Sequence, residues 1–348
     1  MQTSNHSAIA PQNNPQVTQK MSHQIQEIVQ SEYGSPEVLS LVEIDKPVPQ
    51  DNEVLVKVHA TSVHAGNWHL MRGEPFLIRL IFGGIIKPKH QVFGSDLAGR
   101  VEAVGKNVTQ FQPGDEVIGD LSEYGFGACA EYVTAPETAL ALKPSNLTFA
   151  EAATVPTSAL AALQALRDCG QIQAGQKVLI NGASGGVGSF AVQIAKAFGA
   201  EVTGVYSTEK IDMGRSPSVD HMIDYTKEDF TKNGQQYDLI LDAAAYRSVF
   251  DFLSALTPTG TYVMVGGATP RFFQAMFLAP WISKTRKQTV KCLASQPNPA
   301  DLIILKDLIE AGKIKPFIGK HYTNLSEVPA AIRHLEGRQV QGKVTISI

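Results

Sequence analysis

The chain has 348 residues, about twice the usual size of one domain, with 43% hydrophobic and 18% charged residues, the composition of a globular protein with a sizeable core. Thirty Lys and Arg against 33 Asp and Glu leave a net charge of −3, which argues against nucleic acid or anionic membrane surfaces as partners. No apolar run reaches the roughly 18 residues of a membrane span; the most apolar stretches, Phe76–Ile86 and Phe272–Ile282, are shorter.

In chain order, residues 1–24 read as a tail. Ser, Thr, Asn and Gln supply 13 of the 24, two prolines interrupt it, and it cannot bury enough surface to fold alone. It lacks the basic start and apolar core of a signal peptide and carries no arginine, so a disordered extension is expected. Residues 25–147 read as strands and turns. Glu53–Ala60 and Leu97–Val104 alternate with period two, Gly105-Lys-Asn and Pro113-Gly-Asp form turns, and Glu116–Ile118 and Ala130–Thr134 are further short strands. Short strands at close spacing predict a compact antiparallel barrel.

At Thr148 the texture changes. Thr148 and Glu151 form a capping box ahead of an Ala- and Leu-rich helix running to Leu166. Helices then alternate with short apolar strands at Lys177–Asn181, Glu201–Tyr206, Asp238–Ala243, Thr261–Val265 and Thr289–Leu293, which predicts a parallel sheet with helices on both faces. A helix follows Asn298 to about Ala311, and Val340–Ile348 ends in an alternating strand. The expected units are thus the tail at 1–24, a barrel at 25–147 completed by 298–348, and a doubly wound α/β unit at 148–297. Cys129, Cys169 and Cys292 lie far apart, which suits neither a disulfide framework nor a clustered zinc site and points to a reducing compartment, the cytoplasm.

The sharpest local signal is a strand, Lys177–Asn181, followed by Gly182-Ala-Ser-Gly-Gly-Val-Gly188 and then apolar residues at helical spacing up to Phe198. Glycines let the backbone approach a pyrophosphate, and free N–H groups at a helix start bind the anion. Gly182, Ser184, Gly185, Gly186, Val187 and Gly188 are therefore expected to hold a dinucleotide, with Gly185 and Gly186 intolerant of a side chain. The next strand ends at Tyr206 and leads to Ser207, Thr208, Glu209 and Lys210 without the acid that would hold an NAD ribose. Hydroxyls and a lysine suit a 2′-phosphate, so NADPH is the expected cofactor.

These residues, with Trp68-His-Leu-Met-Arg-Gly-Glu74, Gly94-Ser-Asp-Leu-Ala-Gly99, Val101-Glu-Ala-Val-Gly105, Ile223-Asp-Tyr-Thr226, Ile309-Glu-Ala-Gly-Lys313 and Gly342-Lys-Val344, make the chain from about residue 25 onward resemble the medium-chain dehydrogenase/reductase superfamily, specifically its zinc-free quinone-oxidoreductase-like branch. The resemblance implies a GroES-like β-barrel domain plus a Rossmann domain with a doubly wound parallel sheet, a substrate cleft between them, and a homodimer pairing Thr289–Leu293 across its axis. It also implies that Lys210 and Tyr225, and less directly Arg338, hold the 2′-phosphate.

Zinc relatives offer a cysteine, a Gly-His-Glu and a four-cysteine lobe. Here His64 stands in the cysteine's place, Ser95-Asp96 replaces His-Glu, and the lobe is missing from the sequence, so no metal is expected. Without a Lewis acid, direct alcohol–ketone exchange loses its activator, whereas hydride transfer to a quinone or a conjugated C=C bond needs only orientation and a hydrogen bond to the developing oxyanion. His64, Asn67 and Tyr124 are the candidates for that role in the cleft, and Thr157 and Ser158 at the domain junction are candidate nicotinamide contacts. The expected function is an NADPH-dependent quinone or enone reductase. An NAD(P)-dependent alcohol dehydrogenase or carbonyl reductase, and a cofactor-binding interaction protein without turnover, are the alternatives. The sequence leaves the acceptor open.

Overall fold

The computed structural model describes residues 24–81, 84–216, 218–338 and 340–348; the expected tail lies outside them apart from its last residue. The chain begins with a two-stranded antiparallel ribbon, β1 (Gln24–Gln30) and β2 (Leu39–Asp45). The long strand β3 (Glu53–Val63) follows and leads into helix α1 (Ala65–Arg72) and the short α2 (Leu77–Ile81). Strands β4 (Asp96–Val104), β5 (Glu116–Asp120), β6 (Tyr132–Pro136) and β7 (Leu140–Leu142) then build an antiparallel sheet around β3. The sequence-predicted strands are present here, β3 running three residues further than its alternation indicated because both of its faces are covered at that end. The ribbon went unread, since its burial is one-sided and irregular.

The capping box forms as expected: the Thr148 side chain accepts from Glu151 N, and Glu151 accepts from Thr148 N at 2.9 Å. The helix it starts, α3 (Phe149–Ala152), is one turn long and does not run on to Leu166. Pro156 has no N–H to continue the ladder and instead opens a second helix, α4 (Pro156–Gln164), which ends in a wide turn over Ala165–Cys169.

Beyond it lies a six-stranded parallel sheet. Its members are β8 (Lys177–Asn181), helix α5 (Gly186–Ala197), β9 (Glu201–Tyr206), β10 (His221–Asp224), β11 (Tyr237–Asp242), helix α6 (Val249–Ser254), β12 (Leu256–Met264), the 17-residue helix α7 (Thr269–Thr285) and β13 (Thr289–Cys292). The spatial order β10-β9-β8-β11-β12-β13 reverses direction between β8 and β11, which places a crevice at the carboxyl ends of those two strands.

After helix α8 (Pro299–Glu310) the chain adds β14 (Ile318–Tyr322), helix α9 (Val328–Glu336) and β15 (Lys343–Ser347). β15 pairs antiparallel with β3, Val344 opposite Val63, so the chain's end lies in the first sheet. One apolar core joins the two sheets: Ala60, Ala98 and Ile118 pack with Val155, Leu160, Leu163, Ile180 and Phe190.

Where β3, β4, β15 and α4 meet, Lys343 Nζ lies 3.1 Å from Asp96 Oδ2, and both side chains are almost wholly buried. Removing one partner of such a pair leaves an uncompensated buried charge, at a cost of about 3–5 kcal/mol. Lys343→Met is expected to lose about that much in urea unfolding at pH 7, and Asp96→Asn added to it to restore most of the loss. A single-variant loss below about 1 kcal/mol would show that the pair does not hold the junction.

Candidate active site

The glycine loop sits where the sheet order reverses. Gly182, at φ +81, turns the chain out of β8, a left-handed backbone that a side chain disfavours. Gly185 caps α5 without any side-chain hydrogen bond, leaving the first N–H groups of the helix turned toward an incoming anion. A Cβ on Gly188 would meet the Gly182 carbonyl oxygen at 2.1 Å and Ala183 Cα at 2.8 Å. The steric demand therefore falls on Gly182 and Gly188. At Gly185 no positive φ is needed, φ being −81, and a Cβ there meets only an oxygen at 3.4 Å, while on Gly186 it meets at 3.0 Å the Cδ of Lys343, whose ammonium is held by Asp96 and Ser158. Beneath the loop, buried Asp242 accepts from Asn181 Nδ2 (2.7 Å), Tyr262 OH (2.7 Å) and Ala244 N (3.1 Å), fixing the ends of β8, β11 and β12 against one another. Ser184 is held from above, its carbonyl accepting from Gly342 N at 2.8 Å.

At the end of β9, Ser207 leads into a tight helical turn over Thr208–Gly214. Lys210 is half-buried, and its ammonium donates to the carbonyls of Arg338 (2.8 Å) and Val340 (2.9 Å), leaving one N–H of three. Arg338 takes φ +54, and its guanidinium stacks 4.9 Å from the Tyr246 ring. Tyr225 is exposed at the end of β10. Lys210 is thus tied to Arg338, while Ser207 and Tyr225 follow the carboxyl ends of the neighbouring strands β9 and β10. Thr208 is less available than the sequence indicated: its hydroxyl is engaged with Asp224 Oδ2 (2.6 Å) and Thr226 Oγ1 (2.7 Å). Sequence reasoning also passed over Asp224. The hydroxyls of Thr208 and Thr226 hold its carboxyl below the usual carboxylate range, so an acid does stand nearby, at the end of β10 instead of β9.

Facing the glycine loop is a cleft of roughly 550 Å³ lined by His64, Asp120 and Lys343 from the barrel side, by Thr157 and Ser158 at the start of α4, and by Gly182 and Gly185–Gly188 from the parallel sheet. His64 caps α1: its Nδ1 accepts from Gly66 N at 3.1 Å, and Nε2 lies 2.8 Å from Ser95 Oγ. An accepting Nδ1 puts the proton on Nε2, so the ring is neutral and donates to Ser95. Burial, against the opposing charge of Asp96 and with a smaller push from Lys343, brings the imidazole down to about 4.

The other two barrel candidates sit elsewhere. Asn67 is buried behind α1, its Oδ1 accepting from His64 N at 3.0 Å, and it borders a separate small cavity with Gln30 and Tyr33. It positions His64 and does not face the crevice, because the capping box turns it inward. Tyr124 is 39% exposed; around it Ser122, Glu123 and Phe126 line the cleft. The loop's left-handed residues Gly125 and Phe126 carry the chain past Tyr124 toward the cleft.

Sequence reasoning missed the polar network in the cleft floor. Asp96 Oδ2 accepts from Ser62 Oγ (2.5 Å) and Lys343 Nζ (3.1 Å), and Oδ1 accepts from Thr157 N (2.9 Å) and Thr157 Oγ1 (2.6 Å). Against the burial that opposes ionisation, the Lys343 ammonium holds this carboxyl below its ordinary value. Lys343 also donates to Ser158 Oγ at 2.9 Å. The Gly-Ser-Asp of residues 94–96 and the Gly-Lys of residues 342–343 were visible as motifs, but their pairing across 247 positions was not.

A glycine loop at a topological switch point, opening on a polar-floored cleft against a barrel, is the arrangement of a dinucleotide-binding oxidoreductase. The profile of the alcohol dehydrogenase GroES-like domain matches residues 50–145, and that of the zinc-binding dehydrogenase family matches residues 218–346. The chain is 33% identical over 328 residues to the 2-methylene-furan-3-one reductase of Solanum lycopersicum, covering 91% of this chain and 77% of that protein. It is 33% identical over 329 residues to the chloroplastic NADPH-dependent alkenal/one oxidoreductase of Arabidopsis thaliana, covering 91% and 78%. The solved quinone oxidoreductase of Coxiella burnetii superimposes with a TM-score of 0.81 at 29% identity, covering 94% of this chain and all of that one. The chain belongs to the quinone-oxidoreductase-like branch of the medium-chain dehydrogenase/reductase superfamily and is an NAD(P)H-type oxidoreductase.

Because a Cβ on Gly188 drives the loop away from the helix start, Gly188→Ala is expected to weaken NADPH and NADH alike, by about tenfold or more, or roughly 1.4 kcal/mol. Fluorescence titration with both cofactors checks this. Unchanged affinity for both would mean that the loop does not cradle pyrophosphate.

Proposed function

We propose that this chain is an NADPH-dependent reductase of quinones and of the C=C bond of α,β-unsaturated carbonyls, working without zinc. The observation that carries the reading is the state of Asp96. Its oxygens are taken up by Ser62, Thr157 and the Lys343 ammonium, so the position at which zinc relatives keep a ligand pair serves here as the anchor of a buried ion pair. Oxidoreductases named for alkenals, a methylene-furanone and quinones among the relatives support the same acceptor class.

Gly182, Ser184, Gly185, Gly186, Val187 and Gly188 would hold the pyrophosphate, and Ser207, Lys210, Tyr225 and Arg338 the 2′-phosphate. When bound, the dihydronicotinamide supplies a hydride with its electron pair. The chain's residues do the remainder. Ser158, whose oxygen accepts from Lys343, keeps its own hydrogen to donate, and Thr157 fixes the start of α4 against Asp96. The apolar cleft wall at Leu70, Ile78 and Phe126 excludes water and seats a flat conjugated acceptor.

Two further proposals accompany this reading. β13 is the outer strand of the parallel sheet, which supports a homodimer joined there. Three free thiols support a reducing compartment, the cytoplasm; among the described residues no helix is long and apolar enough to cross a membrane.

The deciding experiment follows NADPH absorbance over a panel of quinones, enones and simple ketones, with and without a chelator. Turnover with quinones or enones that survives chelation is expected. Turnover confined to ketones or alcohols, or abolished by chelation, favours an alcohol dehydrogenase, and cofactor binding with no turnover favours an interaction protein. For cofactor choice, Lys210→Ala removes a charge-assisted contact of about 1.5–3 kcal/mol. NADPH affinity should fall about tenfold or more while NADH changes little; equal losses would place the 2′-phosphate elsewhere.

A further inference from the structure

Asp120 ends β5, directly opposite Asp96 on β4, and lines the cleft while only 5% exposed. Its Oδ1 accepts from Ser122 N at 2.9 Å. Its Oδ2 lies 3.1 Å from Thr157 Oγ1, which lies 2.6 Å from Asp96 Oδ1. A threonine hydroxyl has one hydrogen. The shorter contact, to a carboxylate that Lys343 keeps anionic, takes it. Thr157 then has no second hydrogen for Asp120 Oδ2 at 3.1 Å, a contact that a protonated Asp120 would fill by donating. The chain of bonds is complete only with a neutral Asp120 donating to Thr157, which donates to Asp96.

We infer that Asp120 is the acid that completes the reduction, giving its carboxyl proton to the acceptor in the cleft. The inference rests on the reading that the cleft reduces conjugated carbonyls and quinones. In the balanced step, the acceptor's β-carbon receives the hydride and its electron pair, and the dihydronicotinamide is oxidised. The C=C π pair shifts toward the carbonyl. The O–H bond of Asp120 breaks as a C–H bond forms at the α-carbon. With a quinone the proton goes to an oxygen, and the hydride together with this one proton completes the hydroquinone. The carboxylate left behind regains its proton from water entering the cleft.

The surrounding charges suit this role. Burial, and then the negative charge of Asp96, push Asp120 up to about 6. Lys343 faces Asp96, and α4 contributes only the hydroxyls of Thr157 and Ser158 at this point. Glu123 on the following loop borders the same cleft. His64 and His69 line the cleft wall on that side; His64 is neutral and has committed its proton to Ser95, and burial holds His69 below the ordinary imidazole value. A group that works protonated and has its midpoint near 6 gives a rate that falls as pH rises through that value.

The test compares the unaltered protein with Asp120→Asn, which keeps the acceptor for Ser122 N and the donor for Thr157. Three measurements are needed: NADPH affinity by fluorescence, the pH profile of kcat with the best quinone or enone, and the infrared band of protonated carboxyl in the cofactor-free protein. The unaltered protein should show a descending limb near pH 6 and a carboxyl band titrating there. Asp120→Asn should lose that band, run at least tenfold slower at pH 6 with a flat profile, and bind NADPH within twofold of normal. An unchanged rate and profile in the variant, or a carboxyl already ionised at pH 5, would overturn the role of Asp120 while leaving the reductase reading intact. If the unaltered protein binds NADPH but reduces no acceptor, the reductase reading falls and takes this role with it. Asp120→Ser serves for the same measurements should the asparagine variant fail to fold.

Discussion

The rest of the site depends on one buried ion pair. Lys343, near the C-terminus, reaches Asp96 at the start of β4 and fixes at one point the barrel, the start of α4 and the chain's returning end. Two charges removed from water are tolerable only when their remaining valences are filled. Here they are: Ser62 and Thr157 complete Asp96, and Ser158 accepts from Lys343. Because Thr157 and Ser158 open α4, the pair also sets where the barrel stands against the helix that packs beside the glycine loop.

The segment from Arg338 to Lys343 works as a clasp. Its left-handed turn at Arg338 presents a carbonyl to Lys210, Gly342 N donates to the Ser184 carbonyl, and Lys343 enters the barrel. In three contacts it touches the region assigned to the 2′-phosphate, the glycine loop and the acceptor cleft. The regions proposed for cofactor and acceptor are thereby held in one frame. Hydride transfer demands such a frame, since reacting atoms must be held about 3–3.5 Å apart and aligned.

The cleft floor also shows how one environment separates the behaviour of two carboxyls that face each other across β4 and β5. Asp96, beside an ammonium, is kept ionised; Asp120, beside Asp96 and without a cation of its own, is pushed toward its neutral form. Opposed environments of this kind divide the roles of paired acids in many active sites. The same floor engages the expected barrel candidates. His64 is occupied as a helix cap and as a donor to Ser95, and Asn67 supports it from behind.

Much of this was legible in the sequence. Period-two alternation marked the barrel strands, the β–α alternation after Thr148 marked the parallel sheet, and the strand–glycine–helix run at 177–198 marked the dinucleotide loop. Each is a local signal, because side-chain period, turn chemistry and capping act within a few residues. The sequence by itself thus determined the two sheets, the loop and the family. The break at Pro156 and the crowding of Gly188 by Gly182 and Ala183 are local but went unread, whereas the commitment of Thr208 to Asp224 was decided by a neighbour 16 residues away. The cleft chemistry was likewise decided by distant neighbours: Lys343 and Asp96 are 247 residues apart, and Thr157 and Asp120 are 37. Charge and hydrogen-bond partnership fall off over a few ångströms in space and carry no period along the chain, so only the folded structure could say which carboxyl an ammonium keeps ionised and which is pushed toward its neutral form.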